Sequence, residues 1–383
     1  MNHVNRRNFL KLSATAGALA LVPAGAQANE NRKKLPERTL GKRTGIKLPV
    51  LSMGVFVADN PSVVRAAYNS GITMFDTANA YQNGKTEEML GEFFADKPRE
   101  SYIMATKVRE NASDAAAAKF LEKFETSMKR LKMKHVDILY LHSIDKVDDV
   151  AYAPIIEAML KLKKDGRAKY LGISTHSNEP AIINAAVDNG NYDVILTSYN
   201  YTQKHLEELN PAIDKAAKAG LGIVAMKTMA GGYLDKERTQ KVNTRAALKW
   251  ALQNPNVHTA VPGFTSFDQL EELLESAMNL KLNKDEKKYL SMTNSSLYCN
   301  GCRNCELQCP NHLPIPEMMR AYMYNYGYKK PALAKEVIDE LSLPANICDD
   351  CTSCPVRCAA GFQVAQKVKD IIRLQYIPQE FLA

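Results

Sequence analysis

The 383-residue chain has one Trp, 8% aromatic residues and only 19 Gly and 17 Pro. The low Gly and Pro content excludes collagen-like and low-complexity structure. Past the N-terminal segment no apolar run approaches the ~20 residues of a membrane-spanning helix, so the mature chain is expected to carry no transmembrane segment. Neither charge sign dominates: 50 Lys and Arg stand against 42 Asp and Glu, a formal charge of +8. Arg6, Arg7 and Lys11 fall in a segment expected to be removed, which leaves +5 spread along the chain and gives no nucleic-acid signal. Cysteine is missing everywhere outside residues 299–358. What is present, 45% hydrophobic and 24% charged residues, suits a globular chain of two or three domains, or one large barrel with an appendix.

The N-terminus has the order of an export signal: adjacent Arg6 and Arg7, an apolar stretch over Leu12–Val22, a break at Pro23 and the small-residue run Ala26-Gln27-Ala28. The paired arginines before Phe9-Leu10-Lys11 resemble the twin-arginine signal. That resemblance implies export of an already folded, cofactor-loaded protein to the periplasm or beyond, with cleavage near Ala28 and the twin-arginine machinery as a partner.

All eight cysteines fall in two copies of one spacing, C-x2-C-x2-C-x3-C: Cys299, Cys302, Cys305, Cys309, then Cys348, Cys351, Cys354, Cys358. Four closely spaced thiolates suit an iron–sulfur cubane, so two 4Fe-4S clusters are expected. In two-cluster ferredoxins the fourth cysteine of each run serves the other run's cluster; on that pattern Cys309 joins Cys348, Cys351 and Cys354, and Cys358 joins Cys299, Cys302 and Cys305. Pro310 follows the first run as in the bacterial pattern, whereas Ala359 follows the second. Zinc and disulfides are the competing readings. Around the runs, Lys330–Leu341 and Phe362–Tyr376 carry helical spacing. The stretch Pro316–Tyr326 is ambiguous: Tyr322, Tyr324, Tyr326 and Tyr328 alternate as in a strand, while the proline start favours a helix. These tyrosines read as a shell excluding water from a cluster, or as ordinary core.

Between about residues 50 and 280, eight β-branched runs alternate with helical patterns. The runs are Val50–Phe56, Ile72–Asp76, Tyr102–Lys107, Val136–His142, Tyr170–Ser174, Val194–Ser198, Gly222–Met226 and Thr259–Pro262. No G-x-G-x-x-G follows the first of them, which argues against a doubly wound sheet. The expected architecture is therefore a (β/α)8 TIM barrel over 37–282, a linker over 283–296 and a small, mainly α-helical, ferredoxin-like iron–sulfur domain over 297–383. The charged run Lys284-Asp285-Glu286-Lys287-Lys288 in the linker reads as a solvated helix face.

A barrel places its working groups at the C-terminal ends of its strands. There stand Asp76, with Tyr81 on the following loop, Lys107 and His142. Phe-Asp-Thr-Ala with a Tyr five after the Asp, Ala-Thr-Lys and Tyr-Leu-His resemble the catalytic tetrad of the aldo/keto reductases. Arg38-Thr39-Leu40-Gly41, Gly172-Ile173-Ser174, Tyr199-Asn200 and Ala260-Val261-Pro262-Gly263 extend the likeness over about 37–280. The resemblance implies that Tyr81 donates the proton to a carbonyl oxygen, that Lys107, paired with Asp76, lowers its pKa, and that His142 orients the carbonyl. It implies NADP or NAD across the barrel mouth, held by Ser174, Thr175, Tyr199, Met226, Lys227, Gly263, Thr265 and Gln269. Two departures stand out: Leu196 replaces a family Gln, and Gln269 replaces the Arg that grips the 2′-phosphate in many members.

A nicotinamide passes two electrons and a cubane one, and no flavin motif bridges them. The chain therefore reads as an exported reductase of small carbonyls, or oxidase of alcohols, whose clusters relay electrons to a redox partner protein. A reductase with a structural cluster domain is a second reading. A third is an electron-transfer or docking protein whose barrel binds a ligand without nicotinamide chemistry.

Overall fold

The computed structural model describes residues 34–235, 237, 239–292, 298–344, 347, 348, 351 and 353–382. The signal expected over 1–28 and the last residues of the expected linker lie outside them.

The described residues contain ten strands: β1 Glu37–Thr39, β2 Lys47–Pro49, β3 Met53–Gly54, β4 Met74–Asp76, β5 Ile103–Val108, β6 Val136–Leu141, β7 Ala168–Thr175, β8 Val194–Ser198, β9 Gly222–Met226 and β10 Thr259–Ala260. The first two form an antiparallel hairpin, and β3 to β10 form one eight-stranded parallel sheet in sequence order. The sheet closes on itself where Ser52 N–H bonds to Ala260 O at 2.8 Å and Gly54 N–H to Pro262 O at 3.1 Å. Gly54 is required there, because a Cβ would stand 2.6 Å from Val261 O. The strands read as near-continuous apolar runs because both faces are covered. Leu40 and Leu48 from the hairpin join Met74, Ile138, Tyr140, Leu196 and Val224 in the barrel interior, while a larger core lies between the sheet and the helices. Asp137 interrupts the run of β6, and its buried carboxylate accepts from Met104 N–H at 2.8 Å and pairs with Lys169.

Helices follow the strands around the barrel, among them α1 Ala116–Leu131, α2 Ala153–Lys164, α3 Glu179–Asn189, α4 Leu206–Lys218, α5 Thr244–Gln253 and α6 Phe267–Met278. The stretch expected as a linker carries α7, Lys284–Met292, docked on α5. Its charged run is not wholly solvated: Glu286 is buried and pairs with Lys249 at 2.8 Å, and Tyr289 meets Tyr201 hydroxyl to hydroxyl at 3.0 Å.

The cysteine-bearing region builds its own core around Met318, Ile338, Val368 and Ile371. Its helices are α8 Ile315–Tyr322, which runs into a π-turn over Met323–Gly327, α9 Pro331–Glu340 and α10 Val364–Ile372. The alternating tyrosines are thus helical. Tyr324 stacks on Tyr328 and Tyr322 packs on Tyr326, pairs four residues apart with centroids at 5.6 and 4.4 Å. Residues from Lys34 onward form one compact unit, so barrel and cysteine region share an interface. Asn178 N–H bonds to Gly301 O at 3.1 Å, and Asn300 Nδ2 donates to Thr202 O at 2.7 Å. Arg303 reaches Asp145 at 2.8 Å.

Candidate functional site

The register of β4, β5 and β6 gathers three side chains at one rim. Asp76 pairs with Ala105 across β4–β5, and Lys107, two residues further along β5, pairs with Tyr140 of β6. Two residues on from Tyr140, His142 N–H bonds to Val108 O at 2.9 Å. Tyr81 arrives on the β4 loop, which is clamped at both ends. Gln82 Nε2 donates to Phe56 O at 3.0 Å, and Arg130 donates to Asn79 O at 2.8 Å. The turn runs through positive φ at Gln82, Asn83 and Gly84; at Gly84 a Cβ would also strike the Arg130 guanidinium at 2.2 Å.

Lys107 Nζ donates to Asp76 Oδ1 at 2.5 Å, to Thr77 O at 2.6 Å and to the Tyr81 hydroxyl at 3.2 Å. The Tyr81 and His142 rings meet edge to face with centroids 5.8 Å apart. Burial pushes the Asp76 carboxyl up and the Lys107 ammonium down, and their contact opposes both shifts. Burial and the Asp76 charge push the Tyr81 phenol well above its usual range, with Arg320 pulling the other way. That direction is opposite to the lowering expected from Lys107, because burial, the largest cause, and then the Asp76 charge both favour the protonated phenol. Tyr81 is therefore a firmly protonated phenol. His142 is held far below the usual imidazole range by burial, then by the charges of Lys107, Arg109 and Arg320, so it is neutral.

A cavity of about 600 Å³ opens beside this group. Asp76, Tyr81, His176, Met226, Lys227, Gly263, Thr265 and Gln269 all line it. Beside Thr265, Ser266 caps α6, its hydroxyl accepting from Gln269 N–H at 3.3 Å. The Gln269 side chain folds back to accept from Thr265 N–H at 2.8 Å. Three expected nucleotide contacts do not line the cavity. Ser174 Oγ accepts from Ser143 N–H at 2.8 Å, Thr175 Oγ1 donates to Ser177 O at 2.7 Å, and Tyr199 packs on Trp250 with its hydroxyl bonded to Asn210.

The cysteine region supplies residues to the same site that sequence reasoning did not single out. Phe56 packs between Tyr81 and Tyr324, at 4.8 and 4.9 Å, so Tyr324 and Tyr328 line the cavity while sharing a core with the cysteines. Arg320 of α8 donates to Ser143 Oγ at 3.2 Å. A signal for it existed: it is the one cation within the apolar run Ile315–Tyr322.

None of the eight cysteines is in a disulfide. Cys299 and Cys305 feel the charges of Cys302 and Cys358, and Cys348 those of Cys351, Cys354 and Cys309. Burial first, then the charges of the neighbouring cysteines, raises Cys299 and Cys305 to about 12. Gly301 N–H points at Cys299 Sγ and Ala360 N–H at Cys358 Sγ, both at 3.3 Å. Among the described residues no three His, Cys, Asp or Glu side chains converge as a single metal ion requires. Cys299 also abuts the cavity, sharing a small pocket with His176 and Lys227.

Residues 58–246 match the profile of the aldo/keto reductase family. L-galactose dehydrogenase of Arabidopsis thaliana is 28% identical over 294 residues, 65% of this chain and 90% of that protein. D-threo-aldose 1-dehydrogenase of a Pseudomonas species is 25% identical over 234 residues, 51% of this chain and 70% of that protein. Among solved structures, an aldo-keto reductase from Bacillus halodurans superposes with a TM-score of 0.57 at 23% identity, covering 68% of this chain and 96% of its own, a likeness of fold.

Proposed function

We infer that this chain, whose residues 58–246 match the aldo/keto reductase profile, is an oxidoreductase that interconverts a carbonyl and an alcohol at Tyr81 with a nicotinamide nucleotide. The observation that carries the reading is the Asp76–Lys107–Tyr81 chain of contacts at the cavity. The nicotinamide, when bound, supplies or accepts the hydride. Tyr81, protonated at neutral pH, gives its phenolic proton to the carbonyl oxygen as negative charge develops there. Lys107 Nζ, 3.2 Å from the hydroxyl, steadies the resulting phenolate until a proton returns. Neutral His142 offers a ring N–H to the same oxygen and fixes which face is attacked. In the alcohol direction each proton moves the other way.

The cavity fits a nucleotide in size and in having a capped helix start beside it. Met226 and Lys227 line it, and Gly263, Thr265 and Gln269 would meet the phosphate-bearing end. The absence of a cation at Gln269 disfavours tight selection of NADP over NAD.

The thiol grouping fits two cubanes in the crossed arrangement. Cys299, Cys302, Cys305 and Cys358 would hold one, and Cys309, Cys348, Cys351 and Cys354 the other. The N–H groups aimed at Cys299 and Cys358 sulfurs suit thiolate ligands. Such clusters, when bound, exchange single electrons. Cys299 beside the cavity supports a relay between the barrel and an exported partner protein. Folded export with cleavage near Ala28 would deliver the loaded protein, and a mature N-terminus at Met1 in the exported protein would refute it. One observation favours the third reading, a barrel without nicotinamide chemistry: the hydroxyls of Ser174 and Thr175 are already engaged within the protein.

The test is an anaerobic titration of the purified protein with NADPH and NADH, following nicotinamide and iron–sulfur absorbance together, before and after an aldehyde is added. Aldehyde-dependent loss of nicotinamide absorbance is expected. No response to either nucleotide would overturn the reading, and iron and acid-labile sulfide far from about eight each would remove the clusters from it.

A further inference from the structure

Arg320 lies half-buried in the interface between the cysteine region and the barrel, with its Nη2 buried. The sequence offers no reason for a cation among Ile315, Met318, Met319 and Tyr322, and burying one without a counter-ion is costly. Among the described residues Arg320 is in no ion pair. The acid one turn before it, Glu317, is taken by Arg303 at 3.5 Å and by Ser177 Oγ at 3.3 Å. Arg320 Nη1 bonds to Ser143 Oγ and the side chain bonds to Tyr324, while its buried Nη2 has no hydrogen-bond partner.

Two more groups in this place are similarly short of partners. Lys227, at the end of β9, is in no ion pair among the described residues and stands 5.7 Å from the Tyr324 ring centroid. His176 has a buried Nδ1 without a partner, and its ring lies 6.3 Å from that of His142. Both line the cavity with Tyr81 and Tyr324. Arg320 is bonded to Ser143, which follows His142, and to Tyr324, which lines the cavity with Tyr81, so it stands behind the cavity wall beside them. Of the acids facing this cluster, Asp76 pairs with Lys107, Glu179 with His205, Glu317 and Asp145 with Arg303 and Glu340 with Arg109, while Glu317 Oε2 stays buried without a hydrogen-bond partner. The result is a set of unused donors on Arg320, Lys227 and His176 next to Tyr81.

We propose that Arg320, with Lys227 and His176 beside it, forms an anion subsite over Tyr81, and that the substrate is a carbonyl compound, or the matching alcohol, carrying a carboxylate. A planar guanidinium holds a carboxylate through two parallel hydrogen bonds, which fixes both position and orientation of the attached carbonyl. Burying the pair lets the substrate supply the missing counter-charge, so an uncharged analogue would leave Arg320 unpaired. The proposal rests on the oxidoreductase reading for its word substrate, but the subsite stands or falls on binding as well.

The test uses the full, cluster-loaded protein with 4-carboxybenzaldehyde and its methyl ester as a matched pair. The ratio of their kcat/KM values is measured in the wild type, Arg320→Gln and Arg320→Lys. A preference for the carboxylate that falls about 10- to 100-fold in Arg320→Gln, chiefly through KM, is expected for loss of a charged hydrogen-bonded pair. An unchanged ratio overturns the proposal. If Arg320→Gln does not fold, Arg320→Lys decides, since it keeps charge and stem but loses the fork. If neither aldehyde is reduced, the oxidoreductase reading has failed and calorimetry with terephthalate judges the subsite alone. Binding by the wild type that is lost in the variant supports it, and equal binding, or none by either, overturns it. A loss of NADPH affinity parallel to that of terephthalate would give Arg320 to the nucleotide and likewise overturn it.

Discussion

Lys107 is 1% exposed and Asp76 3%, and their contact is the shortest link of the site. Each charge is tolerable there only because of the other, so Lys107→Met should cost about 3–5 kcal/mol by leaving a buried carboxylate unpaired. Urea unfolding checks this; a loss under about 1 kcal/mol would mean the pair is not ionised. The four residues of this cluster were legible in the sequence because strand ends are local features and the barrel converges them. Arg320 was not, because its neighbours Ser143, His176 and Lys227 come from other strand ends, and nothing along the chain announces that α8 covers them.

At the scale of elements, the strand positions were readable to within a few residues. The exceptions are β3 and β10, where the ladder is shorter than the apolar runs Val50–Phe56 and Thr259–Pro262. Closure of the barrel there replaces regular pairing with isolated bridges at Leu51 and Gly54. Helix α7 carries the charged run as expected of a helix face, but the burial of Glu286 is not legible in the sequence because its partner Lys249 stands 37 positions away. The tyrosines of α8 and its π-turn alternate in sequence but pair at four-residue spacing, a pattern that period two mimics. Helix α9 carries Glu336, Asp339 and Glu340, and burial followed by the charges of Glu340 and Asp339 lifts Glu336 to about 7. A carboxyl raised in the folded state is neutral without cost below pH 4.5, then weighs on stability increasingly as pH rises towards 7. Glu336→Gln should therefore stabilise the protein at pH 8 by on the order of 1 kcal/mol, the full shift being discounted for partial exposure, and leave it unchanged near pH 4.5. Thermal melts at the two pH values check the sign; equal gains at both would contradict it.

Over the whole molecule, the cysteine region lines the cavity with Tyr324, Gly327 and Tyr328, and Gly301 is one of its close approaches to the barrel. That residue has φ +74°, and a Cβ would come 2.5 Å from His176 O. Gly301→Val should push the Cys299 loop off the barrel, splitting one calorimetric transition into two and weakening Arg320-dependent selectivity. A single unshifted transition would show that the loop yields without cost. Carbonyl chemistry at Tyr81 remains the claim on which the relay and the anion subsite both depend. The measurement that tests it most directly is turnover of 4-carboxybenzaldehyde with NADPH, and with NADH, by Tyr81→Phe, with cluster content and melting point matched to the wild type. Loss of general acid catalysis predicts a fall in kcat of about 10²- to 10⁴-fold with nucleotide affinity retained. Turnover equal to that of the wild type would contradict the assignment.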